Sequence, residues 1–202
     1  MHIEFLVEEQ SAEAALENLV PTIVGSEIDF NIRSFQGKPD LLAKLPERLR
    51  GYRQWLPEDW RIVVLLDVDN EDCRVLKEKL EKMAFDAGLT TKTAAGGARF
   101  QVLNRIAIEE LEAWFIGDEE ALRAAYPRVE KNLAQKEKYR DPDAIAGGTW
   151  ETLERLLQKG GYFRGGLGKV TAAREISQHM VPERNRSRSF QIFRDGLLVA
   201  VR

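Results

Sequence analysis

The sequence predicts an α/β fold, a mostly parallel sheet flanked by helices, followed by a helical C-terminal extension. Three observations predict it. Short apolar, β-prone runs alternate with segments of helical period through the first half of the chain. The run Ile62–Leu66 is uniformly apolar, the pattern of a central strand covered on both faces. Strand patterns then cease, so the boundaries fall at 1–116 for the α/β core and 117–202 for the helical extension, packed together as one unit. A chain of 202 residues that is 44% hydrophobic is long enough to bury such a core.

The elements follow in order. "IEFLV" (3–7) is short, apolar and β-prone, and the next segment spaces Leu16, Leu19, Val20 and Ile23 as one helical face with Ser11 as N-cap. "EIDFNIRSF" (27–35) alternates Ile28, Phe30 and Ile32 with polar neighbours, a strand with one buried face. "KPDLLAKLPERLRGYRQWLPEDW" reads as helix in pieces, limited by Pro46 and Pro57. After the central strand, Leu76, Leu80, Met83, Ala84 and Ala87 repeat at helical spacing, and Gly88 supplies the stop. "RFQVLNRIAI" (99–108) holds one more strand and runs into a helix through Trp114 and Phe115. Beyond it "DEEALRAAYP", "TWETLERLLQ", "GKVTAAREISQHM" and "SRSFQIFRDGLLVAV" are all of helical pattern, with polar and glycine-rich spacers between them.

Composition excludes several classes. One cysteine, Cys73, makes no internal disulfide, and with two histidines (His2, His179) it is too poor a soft-ligand set for structural zinc. Any metal is therefore a hard, oxygen-liking one. No apolar run approaches the roughly 20 residues of a membrane span, and "MHIEFLVEEQ" lacks the basic region of a secretory leader, so a cytoplasmic location is the expectation. The net charge of −3 divides unevenly: residues 159–202 carry nine Lys/Arg against three acids, a net +6 that leaves −9 on the first 158. An acidic body with a basic tail suits a site that holds a cation at one end and a polyanion at the other, although two solvated faces would give the same numbers.

The chemistry concentrates where strands end. In a parallel sheet ligands sit beyond the carboxyl ends of the strands. Glu8 follows the first strand, with Glu13 in the first turn of the next helix, and Asp67 and Asp69 follow the central one. If the two strands are neighbours, Glu8 and the aspartate pair meet at one sheet edge, and like charges that close need a cation or a proton. Oxygen donors of this kind fit Mg²⁺ or Mn²⁺. Asp67 and Asp69 are two apart, so in an extended strand both face one side. At about 100° per residue, Ile108, Leu111 and Phe115 define a helical face that includes Glu112 but not Glu110. A carboxylate on a packed face is a candidate ligand or general base, or else pairs with a nearby arginine such as Arg105.

Neighbouring motifs fit poorly. "DVDNEDC" begins like a calcium-hand loop but has Asp72 where the turn glycine belongs. A haloacid-dehalogenase-type phosphatase wants Thr at position 71, where Glu71 stands. "GGYFRGGLGKV" lacks both the spacing and the hydroxyl of a phosphate-binding P-loop.

The strand-end Glu8 in "FLVEEQSAE", followed by the strand-end D-x-D of "LLDVDNED", resembles the TOPRIM domain of topoisomerases, primases and overcoming-lysogenization-defect-type nucleases. "IEFLVEEQSAEAAL", "QGKPDLLAKLPERLRGY", "IVVLLDVDNEDC", "NRIAIEELEAWFIGD", "RDPDAIAGGTWE" and "RNRSRSFQIFRDGL" together resemble a bacterial TOPRIM-like family of unknown function, DUF4276, over nearly the whole chain. The resemblance implies a TOPRIM-like (Rossmann-like) sheet and metal-dependent phosphoryl transfer. It places the first glutamate on Glu8, the D-x-D on Asp67 and Asp69, and the E-x-W of TOPRIM-like relatives on Glu112-Ala113-Trp114. Glu9 stands where many relatives have glycine.

By that resemblance Glu8, Asp67 and Asp69 hold Mg²⁺ or Mn²⁺, and Glu112 binds metal or orients water. Lys169 or the run Arg184, Arg186 and Arg188 then faces the substrate phosphate, with Ser187 and Ser189 as further donors. The expected function is a nuclease acting on nucleic acid, DNA first, in anti-phage defence or DNA processing. TOPRIM-like relatives often work beside an ATPase and this chain has no ATP motif, so the resemblance implies a separate ATPase subunit as partner, and homo-oligomerisation stays open. The alternative is a non-catalytic TOPRIM-like module that binds nucleic acid or protein around a structural metal.

Overall fold

In the computed structural model, which describes residues 1–69 and 71–202, the alternating pattern becomes a four-stranded sheet flanked by helices. In chain order the elements are β1 (His2–Val7), α1 (Gln10–Val24), β2 (Asp29–Ser34), α2 (Lys38–Trp55), β3 (Trp60–Asp67), α3 (Cys73–Asp86) and β4 (Val102–Ala107). Helices α4 (Glu112–Gly117) and α5 (Glu119–Ala125) follow, then three short 3₁₀ turns between Leu133 and Ala144. The chain closes with α6 (Thr149–Lys159), α7 (Lys169–Ser177) and α8 (Arg188–Ala200). Every strand pairing is parallel and the order is β2-β1-β3-β4. No helix among the described residues is long and apolar enough to cross a membrane.

The central strand is buried for the reason its sequence suggests. Ile62, Val64 and Leu66 point into a core closed by Leu41, Leu45 and Leu49 of α2 and Leu76 and Leu80 of α3. Val63 and Leu65 point the other way, into a core closed by α1, α7 and α8. With residues alternating between two apolar layers, β3 has no wet face and reads as a continuous apolar run. α7 of the extension lies along α1. Trp114 of α4 packs on Phe190 and Phe193 of α8 and donates Nε1–H to Ser189 Oγ at 2.9 Å, so core and extension share one apolar interior.

Three local expectations need correction. α2 is one helix, with Pro46 in its interior rather than at a break. An interior proline costs about 3 kcal/mol, but each of the buried side chains Leu41, Leu45, Leu49 and Tyr52 returns roughly 1.5–3 kcal/mol, so packing wins. Pro39 at the helix start is favourable, and the helix ends at Trp55, ahead of Pro57. Ser11 does not cap α1: it lies inside the first turn, and its hydroxyl donates to the Glu9 carboxylate at 2.5 Å. The helix expected from about residue 108 begins only at Glu112, because β4 ends at Ala107 and a tight turn with Glu109 at φ 61° intervenes.

One topological feature positions the site. From β1 the chain turns to β2 on one side of the sheet and then crosses back to β3 on the other. The crevice between the carboxyl ends of β1 and β3 is therefore the switch point, where open α/β sheets bind ligands. Val7, the last residue of β1, pairs with Leu65, so Glu8 leaves its strand close to Asp67, which ends β3 two residues on.

Candidate functional site

Glu8 and Asp67 do meet. The Asp67 N–H donates to Glu8 Oε2 at 3.2 Å across the switch point. Past the strands the exits of β3 and β4 stay joined: Val68 N–H donates to Ala107 O at 2.9 Å and Asp69 N–H to Glu109 O at 3.0 Å. That pairing carries the turn 109–111 onto the same edge. A backbone hydrogen bond from Leu111 reaches the Asp67 carboxylate, and the charges of Glu112 and Glu8 are its main acidic neighbours. Burial first, then those two carboxylates, hold the Asp67 carboxyl well above the usual range. Burial also raises Glu8, with Asp69 adding to it and the Asp67 N–H opposing.

Glu112 is the most enclosed of the group, 1% exposed, and its Oε2 has no hydrogen-bond partner among the described residues. Burial pushes its pKa up to about 7, against the pull of the Lys169 ammonium. Its charged partner is Lys169 rather than Arg105. Lys169 Nζ, on the first residue of α7, lies 3.6 Å from Glu112 Oε1, 3.9 Å from Glu9 Oε1 and 5.4 Å from the centre of the Trp150 ring. Burial alone would lower Lys169, but the carboxylates of Glu112, Glu9, Glu110 and Asp67 outweigh it. Arg105 donates instead to the carbonyls of Asn104 and Ile192.

Asp69 does not stand beside Asp67 as an extended strand would place it. The strand ends at Asp67, and Asp69 takes φ 50°, a left-handed turn that redirects its side chain. Its carboxylate sits 2.6 Å from Lys38 Nζ. Lys38 was missed by the sequence reading. Its buried ammonium is held by Asp69, by Glu71 Oε1 at 3.1 Å and by Val68 O at 3.1 Å, which accounts for all three of its donors. The signal available was position alone: "GKPD" follows the exit of β2 at the same sheet edge. Glu9 joins the same edge, accepting from Ser11 Oγ and lying 3.9 Å from Lys169 Nζ. Glu13, in the first turn region of α1, accepts from Ser34 Oγ at 2.5 Å and braces β2. Glu110 ties the site to the extension: its Oε2 accepts from Thr149 N–H, Thr149 Oγ1–H and Trp150 N–H and so satisfies the start of α6.

The arginine run is committed elsewhere. Arg184 clamps the buried Asp118 through Nε at 2.8 Å and Nη2 at 3.0 Å, and reaches Glu120 at 2.7 Å. Arg186 donates to the carbonyls of Tyr139, Arg140 and Ile116. Ser187 caps α8 and, with Ser189, binds Asp143. These side chains fasten the extension to itself, and neither arginine faces the carboxylates; Arg188 is exposed at the start of α8. Of the expected phosphate-facing cations, Lys169 alone is at the acidic cluster.

The donor set suits a hard cation. Glu8, Asp67 and Glu112 offer carboxylate oxygens at one edge, and the unpartnered Glu112 Oε2 is the kind of buried oxygen a cation or proton satisfies. No three acids, histidines or cysteines among the described residues close around a common point, so a cation would have to draw these side chains inward. A family model described as a domain of unknown function, DUF4276, matches residues 7–198. No curated protein and no solved structure matches the chain.

Proposed function

We propose that this chain, which belongs to the DUF4276 family, is a metal-dependent phosphoryl-transfer enzyme, a TOPRIM-type nuclease acting on nucleic acid, with DNA as the first substrate to try. The observation that carries the reading is the set Glu8, Asp67 and Glu112 at the β1/β3 switch point, with an unpartnered buried oxygen on Glu112 and Lys169 beside it. Glu8, Asp67 and Glu112 would hold Mg²⁺ or Mn²⁺, and Asp69 would join them only by releasing Lys38. When bound, such an ion lowers the pKa of an attacking water and stabilises charge on the phosphate oxygens.

The chain's own groups supply the rest. Glu112 would help to orient an attacking water as a ligand of that ion, through the buried carboxylate whose Oε2 is left unpartnered among the described residues. Lys169 holds a positive charge where negative charge gathers on the phosphate. A TOPRIM-like sheet, a setting in anti-phage defence or DNA processing, and a separate ATPase partner belong to the same proposal.

The test is nicking of supercoiled plasmid and cleavage of single-stranded DNA by wild type and Asp67→Asn, with Mg²⁺, with Mn²⁺ and in EDTA. Metal-dependent cleavage that the substitution abolishes is the expected result. Metal binding without cleavage would favour the non-catalytic module.

A further inference from the structure

With Arg184 and Arg186 engaged inside the extension, the substrate's phosphates need another surface. A cavity of about 650 Å³ opens between α6 and the 3₁₀ segment, lined among others by Lys138, Arg140, Arg155 and Lys159. We infer that this cavity is a groove for the phosphate backbone of nucleic acid, an inference that rests on the nuclease reading and names where its substrate is gripped.

Three features support it. Lys138, Arg140 and Arg155 are exposed; Lys138 lies over the Tyr139 ring and Arg155 donates to Glu151 O and Thr152 Oγ1, so none of the three is neutralised by a carboxylate in those contacts. Of the acids in the lining, Glu130 pairs with Lys136 at 2.7 Å and Lys159 at 3.0 Å, which leaves Lys138, Arg140 and Arg155 facing Glu137 and Asp141. Both walls are also fixed. Arg186 grips the carbonyls of Tyr139 and Arg140, so Arg140 is presented from a braced backbone, and Arg155 and Lys159 sit one turn, about 6 Å, apart along α6. That helix starts on the Glu110 carboxylate, two residues from Glu112, and its Trp150 meets Lys169. One rigid helix thus links the groove to the carboxylate edge. The four Lys/Arg of the lining outnumber its three acids by one, so in a chain of net charge −3 the groove carries a small local excess of positive charge.

The experiment is fluorescence anisotropy of labelled 20-mer duplex and single-stranded DNA in EDTA, which stops cleavage, across 50–200 mM salt. It compares wild type, the variant Lys138→Ala/Arg140→Ala/Arg155→Ala and a control, Lys79→Ala/Lys82→Ala, on the exposed face of α3. Thermal unfolding confirms that each is folded. The triple variant is expected to bind at least about 10-fold more weakly, and its log–log salt slope on duplex to shrink by about 2–3, while the control matches wild type. Absence of salt-dependent binding by wild type, equal binding by the triple variant, or equal loss in the control would overturn the inference. Competition by poly-glutamate as effective as by unlabelled DNA would assign the surface to an acidic protein and overturn it too. Because binding is read without metal, this outcome is separable from failure of the nuclease reading, which the cleavage assay decides.

Discussion

Two carboxylates in this molecule are almost equally buried and could hardly differ more in circumstance. Glu4, near the start of β1, is 3% exposed; Glu112, past the end of β4, is 1% exposed. Glu4 receives Tyr52 Oη–H at 2.7 Å, Arg33 Nε–H at 2.5 Å and Asn31 Nδ2–H at 3.2 Å, with His2 at 3.5 Å. Burial would raise its pKa, but those partners win and hold it below the usual range. Glu112 has one lysine at 3.6 Å and an unpartnered oxygen, and burial wins. Burial of an acid therefore does not by itself separate the two edges; what differs is whether its oxygens find partners. The amino edge of the sheet holds a buried carboxylate satisfied by its partners, and the carboxyl edge holds carboxyl groups raised by burial.

The largest expected difference between the edges is in activity. Asp67→Asn should lower metal-dependent plasmid nicking about 100-fold or more, equivalent to roughly 2.7 kcal/mol or more of transition-state stabilisation. Glu4→Gln should leave cleavage by the folded protein close to wild type. In urea or guanidinium titration, Glu4→Gln should instead cost about 2–4 kcal/mol, since it strips a buried network of its charge and leaves Arg33 and Tyr52 mismatched. Stability unchanged in that variant would break the comparison from the structural side.

Glu112→Gln should have the opposite sign. In EDTA at pH 8 it is expected to stabilise by about 1–3 kcal/mol, because an ionised carboxylate is removed from a site that resists it. The pH dependence follows from the same shift. With the folded pKa raised from 4.5 to about 7, the folded state keeps a proton that the unfolded chain has released. The stability from this group is then full below about 4.5 and is lost as pH rises toward about 7, on the order of 3 kcal/mol at most. Raised Asp67 and Glu8 act in the same direction. Thermal midpoints of the wild type in EDTA should fall across that window and fall less in Glu112→Gln. The smallest effect sharpens the contrast: Lys169→Met should extend the fall to higher pH, because Lys169 holds the Glu112 pKa down. At pH 8 the change should be under about 1 kcal/mol, as the lysine is partly exposed.

What was legible in the sequence was whatever one segment decides by itself. An apolar run that stops at an acid marks a strand end, so Glu8 and Asp67 were found, and parallel pairing of their strands put them together. The burial of Glu112 was legible through its apolar neighbours, although the helix invoked for it starts only at Glu112. Distant partners were not legible. A single left-handed residue turns Asp69 toward Lys38, and no periodicity announces it. Arg184 looked like a phosphate ligand because its partner, Asp118, lies 66 residues away. Pro46 suggested a break because local propensity does not count the leucines packed beneath the helix.

The most direct measurement is calorimetric titration of Mg²⁺ and Mn²⁺ into wild type, Asp67→Asn and Glu4→Gln. Saturable binding to wild type and Glu4→Gln, lost in Asp67→Asn, is the expected result and would make the carboxyl edge a cation site. Equal, negligible binding in all three would contradict it, and the acids at the switch point would then be held by protons rather than by metal.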